Sequence, residues 1–373
     1  MYNINSHYEN IYSYLSTIVA HPRVLYLHPY GSTQPEQIEV LAKDMSHLPA
    51  TGDPLFIFYD QEPIYSEFNY RLFDYIRDNI SGPYVLVTTE KESDALERVQ
   101  ARYGWPVVYY FHHVFAAHDW FRGYQYNSQL IGPESRTLKK KFVSFNRLTS
   151  YTRVYRSLFI SELYKHGLLD QGHVSYNDIC PDNGHNYVRN LCDARDSGLI
   201  SWDQCNEAIG NIVQSPLPLR VDYKDQLTIP NHSFVLSAIP ETQESFCYVV
   251  TETCFWDRKH HLTEKIFKPI VSKMPFILIG PAHNLAYLKE YGFETFSNWW
   301  DESYDSIEDP VERLKAATAV LNSICTKDLH ELEAMLKDMQ DVLHYNYNRF
   351  YSQDFVDAAW KELTENLKFA VPI

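Results

Sequence analysis

The chain has 373 residues, 45% of them hydrophobic, enough for two domains of ordinary size with a core each. Its formal net charge of -15 opposes a large duplex footprint, which works by neutralising phosphates, although a local basic cleft stays compatible with that charge. No apolar run approaches bilayer length, Met1-Tyr2-Asn3-Ile4-Asn5 lacks the charged-then-apolar order of a signal peptide, and six cysteines show no CxxC pair or framework spacing; the expectation is a cytoplasmic protein with no membrane span, reduced thiols and no structural zinc.

The first half alternates short apolar runs with helical patterns. Strands are predicted over Val24–His28, Leu55–Tyr59, Tyr84–Thr88 and Val107–Phe111, and helices over Pro35–Asp44, Phe68–Ile80 and Lys91–Tyr103, the rhythm of a mostly parallel sheet. Neither GxGxxG nor a P-loop occurs here, which removes the main signatures of dinucleotide oxidoreductases and P-loop kinases. Candidate site residues lie just past strand ends, where ligands of parallel sheets collect. Asp60-Gln61-Glu62-Pro63 follows the second strand, and either Glu62 or Asp60 is a candidate general base if burial raises its pKa; both also suit a loop or helix cap. His112 and His113 follow the fourth strand. As adjacent residues they diverge, so a structural or substrate-contact role is expected rather than metal ligation.

Gly132-Pro133-Glu134-Ser135-Arg136, followed by Lys139-Lys140-Lys141, reads as a polar, turn-forming linker whose basic run is a solvated face or a phosphate attractor. The expected division is therefore 1–132, a linker over 133–141, a second domain over 142–350, and a C-terminal helix over 351–373 that returns to the first lobe. Phe142–Asn146 is predicted as the opening strand of the second lobe. Arg147 immediately after it is apt for a diphosphate, which arginine grips in bidentate fashion. Arg153 and Arg156 share one face of the next helix, either as substrate contacts or as surface charge. Residues 180–231 carry a weak pattern and read as an insertion or an acceptor-shaping subregion.

Phe246–Thr251 reads as a strand buried on both faces and ends on Glu252. Thr263 sits at an N-cap position, with Glu264 and Lys265 in the first helical turn, while Pro269 should kink or shorten the helix. Phe276–Ile279 is the next strand, closed by Gly280 and Pro281. Glu294–Phe296 is strand-like and leads into Trp299-Trp300-Asp301-Glu302, where Trp300 is a candidate stacking surface and the carboxylates candidate hydroxyl acceptors; a core-facing Trp with a capped turn is the alternative. Helices are expected over Pro310–Cys325, Leu329–His344 and Gln353–Leu367.

The string Glu252…Thr263-Glu264-Lys265…Pro275-Phe276-Ile277…Gly280-Pro281 resembles the donor-binding motif of the fucosyltransferase-like glycosyltransferases. That resemblance covers the C-terminal half; in the N-terminal half only Glu62-Pro63 is similar to the family's Glu-x-Pro element. It implies an α/β protein of GT-B type, two Rossmann-like lobes with a cleft between them, that moves a sugar from a nucleotide sugar to an acceptor hydroxyl by inversion and without a metal. In this reading Arg147 and Lys265 neutralise the leaving diphosphate, Thr263 and Gly280 shape the donor turn, Glu264 holds a ribose or sugar hydroxyl, and Glu252 supports the sugar. Glu62 or Asp60 deprotonates the acceptor, with His112, His113, Arg153 and Trp300 as further substrate contacts. The implied partners are a nucleotide sugar and either a glycan or a hydroxymethylated pyrimidine in DNA. The compact, acidic, signal-free chain suits a phage-encoded protein acting in the host cytoplasm, which brings the DNA acceptor forward. A non-catalytic protein that senses nucleotides or mimics DNA charge is the reading from another class.

Overall fold

The computed structural model describes residues 4–27, 53–221, 235–236 and 238–371. They divide into two compact units, one of Met1–Arg122, Asp257–His261 and Ser352–Ile373, the other of Gly123–Trp256 and Leu262–Tyr351. Among the described residues each unit holds one four-stranded parallel sheet, so the chain has the expected α/β class: the alternating pattern of the first half predicts the first sheet, and the family resemblance implies a second.

In the first unit, β1 (Arg23–Tyr26), β2 (Leu55–Tyr59), β3 (Tyr84–Thr88) and β4 (Val107–Tyr109) lie side by side in chain order. Every residue of β2 is buried, as its unbroken apolar run requires of a strand covered on both faces. Helices α1 (Ile4–Ile18), α2 (Ser66–Asn79), α3 (Asp94–Tyr103) and α4 (His112–Phe121) accompany the sheet. The Ser93 hydroxyl caps α3, and Gly104 ends it in the left-handed conformation that glycine adopts at little cost. The C-terminal helix Gln353–Ala370 also belongs here: Asn366 Nδ2 donates to the Tyr109 carbonyl at 2.8 Å, and the Tyr14 hydroxyl donates to the Thr364 carbonyl at 2.9 Å.

The strap Asp257–His261 joins this unit from far along the chain. Lys91 and His260 exchange backbone hydrogen bonds of 3.1 and 2.8 Å, and Lys259 Nζ lies 2.9 Å from Glu90 Oε1 with both side chains fully buried. The Glu90 carboxylate also accepts from the Ile64 backbone N–H and the Ser93 hydroxyl, so the buried pair has the further donors such a pair needs.

In the second unit, β5 (Lys140–Asn146), β6 (Gly172–Tyr176), β7 (Ser245–Thr251) and β8 (Phe276–Ile279) take the order β6-β5-β7-β8. From β5 the chain goes to β6 on one side and then to β7 on the other, so the C-terminal ends of β5 and β7 flank a topological switch point. Helices α5 (Tyr155–Lys165), α6 (Tyr187–Asp196), α7 (Trp202–Val213), α8 (Glu264–Val271), α9 (Asn284–Glu290), α10 (Pro310–Cys325), α11 (Leu329–Asp338) and α12 (Gln340–Phe350) accompany it, with a short helix over Ile239–Gln243.

Several expectations are corrected. The division between units falls at Arg122/Gly123 rather than near Gly132, and Lys140 and Lys141 open β5 instead of ending a linker over 133–141. β1 is shifted to Arg23–Tyr26, β4 stops at Tyr109, and the helix expected over Pro35–Asp44 lies outside the described residues. Glu294–Phe296 is not a strand: the Asn346 side chain accepts from the Glu294 N–H and donates to its carbonyl, which satisfies that backbone without a ladder. The helix expected over Leu329–His344 is divided at Met339 into α11 and α12.

Candidate donor site

β7 buries all seven of its residues and delivers Glu252 at its C-terminal end, 0% exposed. Three donors converge on the carboxylate: the Thr263 N–H to Oε1 at 3.2 Å, the Thr263 hydroxyl to Oε2 at 2.7 Å, and the Thr253 N–H to Oε2 at 3.0 Å. Burial pushes the Glu252 carboxyl above its ordinary range, while Lys265 and the Thr263 bonds pull the other way. Thr263 thus serves two structures at once, since its hydroxyl also accepts from the Lys265 N–H and caps α8. With Pro269 inside it, α8 is eight residues long, and its first turn is intact.

Lys265 Nζ donates to Thr253 Oγ1 at 3.0 Å, Thr263 Oγ1 at 3.1 Å and Glu264 Oε1 at 2.9 Å, and the side chain is 29% exposed. One ammonium therefore balances two carboxylates, of which Glu264 is buried beside it. Gly280 follows β8 with its Cα beside Glu252; a Cβ there would stand 3.5 Å from the Glu252 Cβ, an ordinary packing distance.

Across the switch point, Arg147 follows β5. It is half-buried, and its side chain makes no hydrogen bond or ion pair among the described residues. Its carbonyl accepts from Asn177 Nδ2 at 2.9 Å, which fixes the backbone on the β6 side. Asn146 and Thr251, the last residues of β5 and β7, are joined by a 2.9 Å side-chain bond. The structure thus brings Arg147, Glu252, Thr263, Glu264 and Lys265 to the C-terminal edge of one sheet, where the Arg147 side chain has no hydrogen-bond or ion-pair partner among the described residues.

The remaining candidates are placed differently. Asp60, 1% exposed, sits in the first unit beneath Tyr110, whose hydroxyl donates to Oδ2, and Tyr8, whose hydroxyl is 3.4 Å from Oδ1. His112 Nδ1 is 2.9 Å from the Tyr110 hydroxyl and 3.5 Å from Asp60 Oδ2. Burial, with Asp60 adding, drives the Tyr8 hydroxyl well above its ordinary pKa, and burial, with His112 adding, drives the neighbouring His7 down. His113 points elsewhere and meets His261 edge-on at 5.6 Å. Glu62, in the loop after β2, is half-buried and more open than Asp60. Trp300 is buried against Phe296 with ring centroids 5.2 Å apart, a packing position rather than an open stacking face. Asp301 and Glu302 accept from Ser303, Thr295 and Phe296 and hold the turn together. Arg153 lies in a short 3-10 turn ahead of α5.

The basic run is engaged within its own unit. Lys139 pairs with Glu244 at 2.6 Å, Lys140 donates to the Asp170 carbonyl at 2.6 Å, and Lys141 donates to the Cys325 carbonyl. Sequence reasoning also missed Arg313, which donates to the carbonyls of Gly280 at 2.9 Å and Phe255 at 2.8 Å and so ties the end of β8 to the loop that follows β7. Its partners are backbone atoms, which leave no trace in side-chain spacing. No group of three or more metal-ligating side chains occurs among the described residues, and no described helix is long and apolar enough to cross a membrane.

No protein-family model matches the chain, and no curated protein matches it. Among solved structures it is similar to the T4 phage BGT in complex with its UDP-glucose substrate, at 10% identity and a TM-score of 0.45, over 94% of this chain and 82% of that one. It is also similar to the DNA-modifying enzyme β-glucosyltransferase, solved in the presence and absence of uridine diphosphoglucose, at 10% identity and a TM-score of 0.40, over 86% of this chain and 75% of that one. At that identity and TM-score the likeness carries no functional weight.

Proposed function

We propose that this chain is a metal-independent glycosyltransferase that moves a sugar from a nucleotide sugar to an acceptor hydroxyl with inversion. The observation that carries the reading is the switch point of the second unit, where Arg147 after β5, its side chain unengaged among the described residues, lies at the same sheet edge as the Thr263-Glu264-Lys265 turn built on Glu252. An anion at that edge gains the Arg147 fork, the Lys265 ammonium and the positive end of α8, three sources of charge stabilisation for a departing diphosphate. Glu264 holds a ribose or sugar hydroxyl, and Glu252 keeps the turn in place and supports the sugar.

Glu62, the more open of the two carboxylates, takes the acceptor proton, and Asp60, held by Tyr110, Tyr8 and His112, shapes its surroundings. The acceptor oxygen then bonds to the anomeric carbon as the bond to the diphosphate oxygen breaks, and the nucleoside diphosphate leaves with the electron pair. The acceptor is a glycan or a hydroxymethylated pyrimidine in DNA, and the chain works in the cytoplasm.

Thermal shift against UDP-glucose, UDP-N-acetylglucosamine, GDP-mannose, GDP-fucose and dTDP-glucose tests the donor, because a ligand of the folded state raises apparent stability by mass action. Turnover is then assayed with a glycan panel and with hydroxymethylcytosine- or hydroxymethyluracil-containing DNA, with chelator present throughout. The expected result is one stabilising donor and chelator-resistant transfer. Loss of transfer on chelation, restored by a divalent ion, overturns the metal-free mechanism; tight donor binding with no turnover leaves a nucleotide sensor.

A further inference from the structure

The second unit contains a buried cation that the mechanism above does not use. Arg156, second residue of α5, is 4% exposed in a helix whose residues from Tyr155 to Leu163 are all buried. Its Nη1 donates to the Leu148 carbonyl at 2.9 Å, and its Nη2 donates to the carbonyls of Thr251 at 2.8 Å and Glu252 at 3.2 Å. The hydroxyl of Tyr155 donates to the same Glu252 carbonyl. Leu148 is one residue past Arg147 in the loop that leaves β5, while Thr251 and Glu252 end β7. One planar guanidinium therefore spans both sides of the switch point.

Burying a charge is costly, and an apolar side chain of similar volume often stabilises a core as well or better. What an apolar residue cannot do is hold two separate chain ends at a fixed spacing. Lysine cannot either, because a single ammonium lacks the rigid fork that reaches carbonyls on two sides. Arg147 and the Glu252–Thr263 turn must meet one donor together, and misplacement by about 1 Å is enough to damage such a site.

We propose that Arg156 is a positioning residue for the donor: it sets the distance between the loop of Arg147 and the end of β7 and touches no substrate itself. This rests on the glycosyltransferase reading. The test uses the full chain with Arg156→Lys, Arg156→Met and Tyr155→Phe. Hydrogen exchange in the protein alone should rise together, about tenfold, at 147–150 and 251–254 in both Arg156 variants, with α6 and α7 unchanged. Tyr155→Phe, which removes one bond to Glu252, should raise exchange at 251–254 only.

Affinity for inorganic pyrophosphate, and for the best donor of the panel, should fall roughly tenfold in Arg156→Lys, the size expected from losing one charge-assisted hydrogen bond. The donor KM should rise while kcat at saturation stays within about threefold, because a mispositioned ground-state site is filled at high concentration. Unchanged exchange, or exchange altered on one side alone, overturns the positioning role, as does unchanged donor affinity in a folded Arg156→Lys. If that variant does not fold, Arg156→Met decides on the same readouts. Absence of any donor binding by the unmodified protein defeats the glycosyltransferase reading instead, and the exchange experiment still judges the spacing.

Discussion

Replacing Thr263 by valine keeps the shape of the side chain and deletes a hydroxyl that, among other bonds, accepts from Lys265 Nζ at 3.1 Å. The same hydroxyl caps α8 and donates to the buried Glu252 carboxylate at 2.7 Å. Loss of a threonine cap costs about 0.5–2 kcal/mol, and loss of a hydrogen bond to a charged group costs about 1.5–3 kcal/mol, so the two together come to roughly 2–5 kcal/mol. Thr263→Ser retains the hydroxyl and should stay within about 1 kcal/mol of the unmodified protein, the scale of one buried methyl. Urea unfolding gives the global change, and native-state hydrogen exchange of the 264–271 amides gives the local one, which matters in a chain of two units. A Thr263→Val protein less than about 1 kcal/mol below the original would mean that Thr263 joins neither structure in solution. A Thr263→Ser protein as unstable as the valine variant would place the cost in the methyl group and refute the same argument.

Arg147→Ala should weaken donor affinity by roughly 10-fold or more at unchanged melting temperature, because its side chain makes no bond among the described residues. Lys265→Ala should lower both affinity and melting temperature, since it removes the ammonium that pairs with Glu264 and lies near Glu252; donor titration beside thermal melts separates the two patterns. Glu62→Gln should reduce the acceptor-dependent rate about 100-fold with donor affinity kept, whereas Asp60→Asn should mainly destabilise the first unit, as steady-state rates and melts of both variants will show. Burial raises the Glu252 carboxyl in the folded chain, so between the unfolded and the folded pKa the folded state binds more protons than the unfolded chain. Its contribution to stability is therefore full below the unfolded carboxyl range and declines as pH rises through the window up to the folded pKa. The stability difference between the unmodified protein and Glu252→Gln should fall across that window, and a flat difference in pH-resolved urea titrations contradicts the assignment.

What could be read from the sequence was what is encoded locally. β2, β3 and β8 have the predicted ends because unbroken apolar runs over Leu55–Tyr59, Tyr84–Thr88 and Phe276–Ile279 leave no other way to bury them. The cap at Thr263 was legible for the same reason, since cap and first turn are adjacent residues. β6 escaped notice because Gly172-His173-Val174-Ser175-Tyr176 mixes polar and apolar residues at the edge of its sheet. It also opens on a glycine for a reason no pattern shows: a Cβ at Gly172 would come within 2.4 Å of the Phe142 ring. Arg156 read as either a substrate contact or a surface charge, and only its partners, the backbone carbonyls of Leu148, Thr251 and Glu252, show it to be interior. The commitment of Lys139, Lys140 and Lys141 to Glu244, Asp170 and Cys325 was equally invisible in a run of three like charges.

The strap Asp257–His261 makes the first unit a product of three separated stretches of chain. Glu90 enters the interior as a carboxylate whose cation, Lys259, is synthesised 169 residues later, and the Tyr109 carbonyl waits still longer for Asn366. Domains usually complete themselves in the order they leave the ribosome. Here the later unit has all of its residues once Tyr351 is made, while the earlier one still lacks its last helix. A fragment ending at Arg122 would carry a buried, unpaired carboxylate and an uncovered helix seat, so the boundary in space offers no single place to cut the chain into two working halves.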